Sequence, residues 1–314
     1  MSPARVASTR SPGRSTISPA LGIVRLWRSE SLCLGEFSLP PGDSADYDSS
    51  PISGCNVVFP RTRLHLRWSD GSSHWSDPAV INYYNDGDSV ERTDLEPAGD
   101  RSLWLELRPP LLDALLVRLR PTRSFERPFS LHQAPSVPRA YLAMRRLIDK
   151  LAGCGTPSAD DALRIDETAM VVLDAALGSF ESRRVGSAAP SPSYRARVEA
   201  SRELLAHRPE DSLSLDAIAR TVDASPYHLA RAFRAVTGTT LHQYRLRLRL
   251  HQGIERLLDG AADISAVAHD LGFSSHSHFT ATVRRHLRLT PSQVRALARS
   301  PRWHDAPAPL ARSG

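Results

Sequence analysis

The sequence predicts an α+β multidomain chain in which a β-rich N-terminal barrel is followed by a helical linker and an all-α C-terminal domain. Three observations carry that expectation. Short runs alternating apolar and polar residues recur from Leu21 to Leu131. Apolar residues then fall at helical spacing from Val137 onward. In the last third, a pair of helical segments returns at an offset of 49 to 50 residues. The 314 residues suit two domains, and a hydrophobic fraction of 41% suffices for packed cores.

In chain order, residues 1–20 contain Arg and Ser, no acid and no continuous apolar stretch. They are expected to form a disordered tail rather than a signal peptide. Residues 21–135 hold the β-rich region. "CNVVFP", "TRLHLRW", "AVINYY" and "SLWLELR" are its strand candidates, with "SDGSS", "NDGD" and "PAGD" as turns. Many short strands at regular spacing suggest a small barrel or sandwich. "HQAPSVPRAY" and "GSAAPSPSYR" mark two seams. Between them, residues 136–186 read as helices. Leu142, Leu147, Ile148 and Leu151 mark one, and Ala169, Val172, Leu173, Ala176 and Phe180 another. Residues 194–299 are helical throughout, and residues 300–314 read as a second disordered tail.

Composition restricts the function. No apolar run approaches the roughly 20 residues that cross a bilayer. Cys33, Cys55 and Cys154 have neither zinc-like spacing nor the look of a disulfide framework, so a reducing, cytoplasmic setting is expected. The net charge of +6 is unevenly placed. From Pro190 to Gly314 there are 18 Arg, no Lys and 11 acids, while the remainder is close to neutral. Arg suits bidentate contact with phosphate and guanine edges, and its concentration in one segment points to a nucleic-acid partner.

The internal repeat sharpens this. Ala217-Ile218-Ala219 corresponds to Ala266-Val267-Ala268, Leu229 and Phe233 to Phe279 and Val283, and Thr240–Arg245 to Thr290–Arg295. In each unit a short helix ends at a turn, and a Ser then offers its hydroxyl to the free N–H groups of a second helix. That Ser is Ser225 in the first unit and Ser274 or Ser275 in the second. Pro226 suits a first helical turn, and Gly238 and Gly272 suit left-handed stops. Small Ala219 and Ala268 let the paired helices cross closely. Each unit is a helix-turn-helix, joined to its twin by one longer helix.

These residues resemble the AraC/XylS family of transcription regulators. "SLDAIARTVDASPYHLARAFRAVTG" resembles the family's first helix-turn-helix and "ISAVAHDLGFSSHSHFTATVRRHLRLTPSQVR" its second, across about residues 195–297. The chain departs from the family pattern at Ala281, where an Arg is usual, at Val283, where an aromatic is usual, at Leu241, often Pro, and at Gly253, often Ala. The resemblance implies a sequence-specific regulator of transcription, of activator type, with RNA polymerase as a partner.

A helix in the major groove reads DNA with the first two turns of its outward face. In the first unit those positions, with the capping Ser225, are Tyr227, Ala230, Arg231 and Arg234, and Arg231 is the candidate for base contact. In the second they are Ser275, His276, Ser277, Thr280, Arg284 and Arg285, with Arg284, Arg285 and Arg288 placed for phosphates. His276 and His278 do not make a metal site, because residues two apart on a helix point about 200° apart. The pair of units is expected to enter successive major grooves of double-stranded DNA.

The resemblance also implies a cupin-like sensor over residues 21–135. Trp68, Trp75, Tyr83, Tyr84 and Trp104 are candidates for lining a small-molecule effector pocket, with ordinary core as the competing reading. The helices of 136–186 are candidates for a homodimer interface or for the connection between sensor and reader. The competing function is a cupin-type metalloenzyme with a helical appendage. Such enzymes use clustered His, whereas His65 and His74 stand apart and no His-x-His occurs in this region. No metal, cofactor, catalytic residue or membrane association is expected.

Overall fold

The computed structural model describes residues 17–18, 22–40, 51–93, 96–119, 127–153, 157–184 and 191–299. The strands are β1 (Ile17–Ser18), β2 (Ile23–Arg28), β3 (Leu32–Leu39), β4 (Cys55–Pro60), β5 (Leu64–Trp68), β6 (Ser73–Ser76), β7 (Val80–Tyr84), β8 (Val90–Thr93), β9 (Asp100–Leu107) and β10 (Gln133–Pro135). The helices are α1 (Pro109–Leu119), α2 (Pro138–Gly153), α3 (Ala159–Arg184), α4 (Pro192–His207), α5 (Leu215–Thr221), α6 (Pro226–Thr237), α7 (Leu241–Leu258), α8 (Ile264–Asp270), α9 (His276–Leu287) and α10 (Pro291–Ala298). Most of the segment expected to be the N-terminal tail, all of its C-terminal counterpart, residues 300–314, and Cys154 lie outside the described residues.

Strand alternation builds the N-terminal region as two facing sheets. A seven-stranded antiparallel sheet runs β1-β2-β3-β9-β4-β7-β10, and a three-stranded one runs β6-β5-β8. One face of the larger sheet carries Leu32, Leu34, Val57, Phe59, Ile81, Tyr83, Leu103 and Leu105, all buried beneath α2 and α3. The opposite face, through Val58 and Tyr84, meets Leu64, Leu66, Trp68 and Val90 of the smaller sheet. Cys33 and Cys55 are buried free thiols, pushed up by that burial.

Two expectations need correction here. The seam at "HQAPSVPRAY" holds an edge strand, β10, where Pro135 is tolerated because no further strand needs its N–H. The segment read as β-rich also contains a helix, α1, which starts at Pro109-Pro110, residues suited to a first helical turn.

The helices of 136–186 are more than a linker. In α2, Ala140, Tyr141, Leu142, Ala143, Met144, Leu147 and Ile148 are all buried, as are Arg145, Arg146 and Lys150. A helix covered on every side is an interior element. It lies against β2, β3 and β9 on one side and against α7 and α9 on the other, with α3 alongside. The apolar core therefore continues from the large sheet through α2 into the second helix-turn-helix. The first helix-turn-helix has a separate core, built on Leu229, Phe233, Tyr244 and Leu248 and reaching Ala79 and Val80.

Candidate nucleic-acid interface

The two units share their local geometry. Ser225 Oγ accepts from the His228 N–H at 3.2 Å, and Ser275 Oγ from the His278 N–H at 3.1 Å. Of the two serines considered for the second unit, Ser275 is the cap, while Ser274 Oγ lies 3.0 Å from His278 Nδ1. Between the helices, Ala224 N–H donates to Ala219 O and Phe273 N–H to Ala268 O. The joining helix and α10 both begin with a capping box, Thr240 with Gln243 and Thr290 with Gln293. Leu229, Phe233, Phe279 and Val283 are buried, as are the close-crossing Ala219 and Ala268.

That inward packing fixes which residues face out. On α6, Tyr227, Arg231 and Arg234 are exposed, Ala230 is half-buried, and Ser225 is exposed at the cap. On α9, His276, Ser277, Arg284 and Arg285 are exposed, Thr280 is half-buried, and Ser275 is exposed at its cap. Tyr227 keeps 69% of its surface in solvent, unusual for so large a ring in a folded chain. The C-terminal end of α6 is instead held down: Arg183 of α3 donates to Val236 O at 2.6 Å. Each recognition helix is thus anchored along one side and leaves its early turns free.

Much of the C-terminal Arg content is not available to DNA. Arg245 donates to Asp211 O and Leu213 O, both at 3.0 Å. Its repeat partner Arg295 donates to Ala262 O at 2.6 Å and Ala261 O at 3.3 Å. Arg249 serves carbonyls of two loops. Arg202, 2% exposed, donates to Tyr244 Oη, Gln133 Oε1, Glu199 and Trp75 O, beside the buried Asp77. Sequence reasoning counted these cations as surface charge. Only the 50-residue pairing of Arg245 with Arg295 signalled an architectural role. Arg231, Arg234, Arg284, Arg285 and Arg288 remain exposed.

The five aromatics singled out in the N-terminal region are not brought together. Tyr83 faces the helices, where its hydroxyl donates to Ala176 O and its ring meets Phe129 and Phe180. Trp75 pairs with His65 across the outer face of the small sheet, under the Arg63 guanidinium and next to Glu199 of α4. Trp68 and Tyr84 stack between the sheets, 5.9 Å apart, and Trp104 shares the inward face with Val58. A cavity of about 40 Å³ between the two regions is lined by His74, Gln133, Arg202 and Thr237 among others, and by none of the five. His65 and His74 lie on opposite faces of the small sheet. Among the described residues no group of three or more His, Cys, Asp or Glu is placed to hold a metal ion. No helix among them is long and apolar enough to cross a membrane.

Comparison with known proteins gives the same picture for the C-terminal region. A family model described as "Helix-turn-helix domain" matches residues 218–297. The probable transcription factor PqrA of Proteus vulgaris is 31% identical over 94 residues, covering 30% of this chain and 77% of that protein. The transcriptional activator RhaR of Salmonella dublin is 33% identical over 94 residues, which is 30% of this chain and 33% of RhaR. Among solved structures, an AraC-type DNA-binding regulator from Chromobacterium violaceum is 31% identical and covers 36% of this chain and 100% of that one, with a TM-score of 0.33. With two matching helix-turn-helix units and relatives of this kind, the chain belongs to the AraC/XylS family of helix-turn-helix transcription regulators.

Proposed function

We propose that this regulator reads an asymmetric DNA site with α6 and α9 inserted in two successive major grooves, about 34 Å apart. One observation carries the reading: two structurally equivalent units each bury one side of the second helix and leave the other side exposed and polar, with Arg231 and Arg234 on α6 and Arg284 and Arg285 on α9. Arg231 takes a base edge, while Arg234, Arg284, Arg285 and Arg288 neutralise phosphates. Ser225, Tyr227, Ala230, Ser275, His276, Ser277 and Thr280 complete the contact faces. RNA polymerase is the downstream partner of an activator of this type, acting in the cytoplasm, and α3 is the candidate surface for a homodimer.

The N-terminal region, residues 21–135, serves as the sensor. A small molecule would sit between the sheets. The buried indole N–H groups of Trp68 and Trp104 have no hydrogen-bond partner among the described residues and suit an acceptor there.

The test is selection of duplexes from a random pool, footprinting of the winner, and titration across salt. Four phosphate-contacting arginines predict a log–log salt slope on the order of −4. Arg231→Ala is expected to weaken binding by about tenfold or more and to relax preference at one base pair. A weakened variant with unchanged preference would return Arg231 to the phosphate contacts, and a flat salt response would sink the reading.

A further inference from the structure

We propose that Arg249 is a positioning residue that sets the distance and angle between the two recognition helices, and so the half-site spacing that the protein accepts. The inference rests on the two-groove reading.

Arg249 projects from the joining helix α7, one turn after Arg245. Its Nε–H donates to Pro209 O at 2.6 Å and its Nη2–H groups to Glu210 O at 2.9 Å and Asp211 O at 3.4 Å. These carbonyls belong to the loop between α4 and α5, in the first unit. Nη1 donates to Gly272 O at 2.9 Å, in the turn between α8 and α9 of the second. One guanidinium therefore joins the turn that launches α9 to the loop that launches α5. The planar fork of five donors serves all four carbonyls in a fixed arrangement, and the three donors of a Lys ammonium cannot supply the same four bonds.

The joint is close. Gly272 has φ +71°, and a Cβ there would stand 2.2 Å from Glu210 O, so the two units touch backbone to backbone. The Phe273 ring lies 5.8 Å from the guanidinium. The repeat separates this role from ordinary loop capping. Arg245 and Arg295, 50 residues apart, each tie a loop within their own unit. The position 50 beyond Arg249 is Arg299, which caps the end of α10, is exposed, and has no further unit among the described residues to join. The two units have distinct apolar cores, and α7 and this joint link them directly.

The test uses the full-length chain and a duplex selected by it from a random pool. Affinity is measured for that duplex, for versions with one base pair added or removed between the half-sites, and for one with the second half-site scrambled. Because the second contact is made intramolecularly, the wild type is expected to lose about tenfold or more on altered spacing. Arg249→Lys and Arg249→Gln are expected to lose about tenfold on the selected duplex but to stay within about twofold of wild type on the scrambled one. Their penalty for altered spacing should shrink below about threefold, whereas Arg295→Lys should keep the wild-type penalty. The proposal is overturned if the Arg249 variants retain the full spacing penalty, which would mean that the N-terminal region alone sets the geometry. Failure of both variants to fold would overturn it in favour of a purely structural role. If the wild type is indifferent to scrambling, the two-groove reading itself falls, and this inference with it.

Discussion

Left-handed backbone occurs at corresponding places in the two units, but the residue types are exchanged. Between the paired helices stand Asp223 (φ 50°) and Gly272 (φ 71°); after the recognition helices stand Gly238 (φ 75°) and Arg288 (φ 60°). Gly238 and Arg288 make the same closing bond, their N–H groups donating to Arg234 O and Arg284 O. The two glycines announce their turns in the sequence, whereas Asp223 and Arg288 are legible only by aligning the repeat. Asp suits this region through short-range hydrogen bonding, but Arg carries the full steric cost of about 1–2 kcal/mol. A cation at a helix C-terminus returns about 0.3–1 kcal/mol of it. Arg288→Gly is therefore expected to raise the free energy of unfolding by up to about 1 kcal/mol in urea titration, while weakening DNA binding through the lost charge. A drop in stability would show instead that the Arg288 side chain makes a stabilising contact.

At the scale of elements, helices α5 to α10 could be read because each carries its own start signal. Ser214, Ser225, Thr240, Asp263, Ser275 and Thr290 all accept the backbone bond expected of an N-cap. The strands were readable from alternation for the same reason: the signal is local. What was not readable is what each helix packs against. The helical period places α2 but does not say that cover comes from all sides. The aromatics of β5 to β9 look alike in sequence, yet strand alternation and sheet order send Tyr83 and Trp75 away from Trp68. Gly253 of α7 shows how packing modifies propensity. Gly costs about 1 kcal/mol against Ala inside a helix. An added Cβ would stand 3.3 Å from Leu271 Cδ1 and 3.4 Å from Phe279 Cε2, both side-chain atoms. Gly253→Ala is thus expected to stabilise, by less than about 1 kcal/mol, because Leu271 and Phe279 must shift by a few tenths of an ångström. A lower melting temperature would show that this packing does not yield.

At the scale of the whole molecule, α7 is gripped along one stripe by the preceding part of the chain. Tyr244 donates to Asp77, Arg247 to Ser136 O, and His251 Nε2 lies 2.7 Å from Ser136 Oγ. Glu255 takes Arg61 at 2.5 Å and the Tyr141 hydroxyl at 2.7 Å, and Asp259 meets Arg145 at 3.5 Å. The pairs span 111 to 194 residues, so no local pattern foretold them. Their burial makes the assembly sensitive to acid. Burial opposes ionisation of Glu199, yet Arg202 and His74 hold its carboxyl down to about 2. Asp77, more deeply buried, is pushed up despite Arg202. Burial drives His251 down to about 3 against the pull of Glu255, with Arg247 adding to the depression. The unfolded imidazole titrates near 6.5, so above that pH both states are neutral and His251 contributes no pH dependence. As pH falls from 6.5 toward 3, the unfolded chain takes up a proton that the folded chain refuses, and stability declines. Glu199 adds its own loss only below about 4.5, so the decline between 6.5 and 4.5 proceeds without it and the two losses overlap below that. His286, also lowered by burial, contributes to the upper window. The melting temperature of the wild type should therefore fall between pH 7 and pH 5, and that fall should be shallower, though not absent, in His251→Gln. Equal slopes for the two proteins would mean that His251 accepts a proton in the folded state, and that α7 is not sealed against the N-terminal region at Ser136.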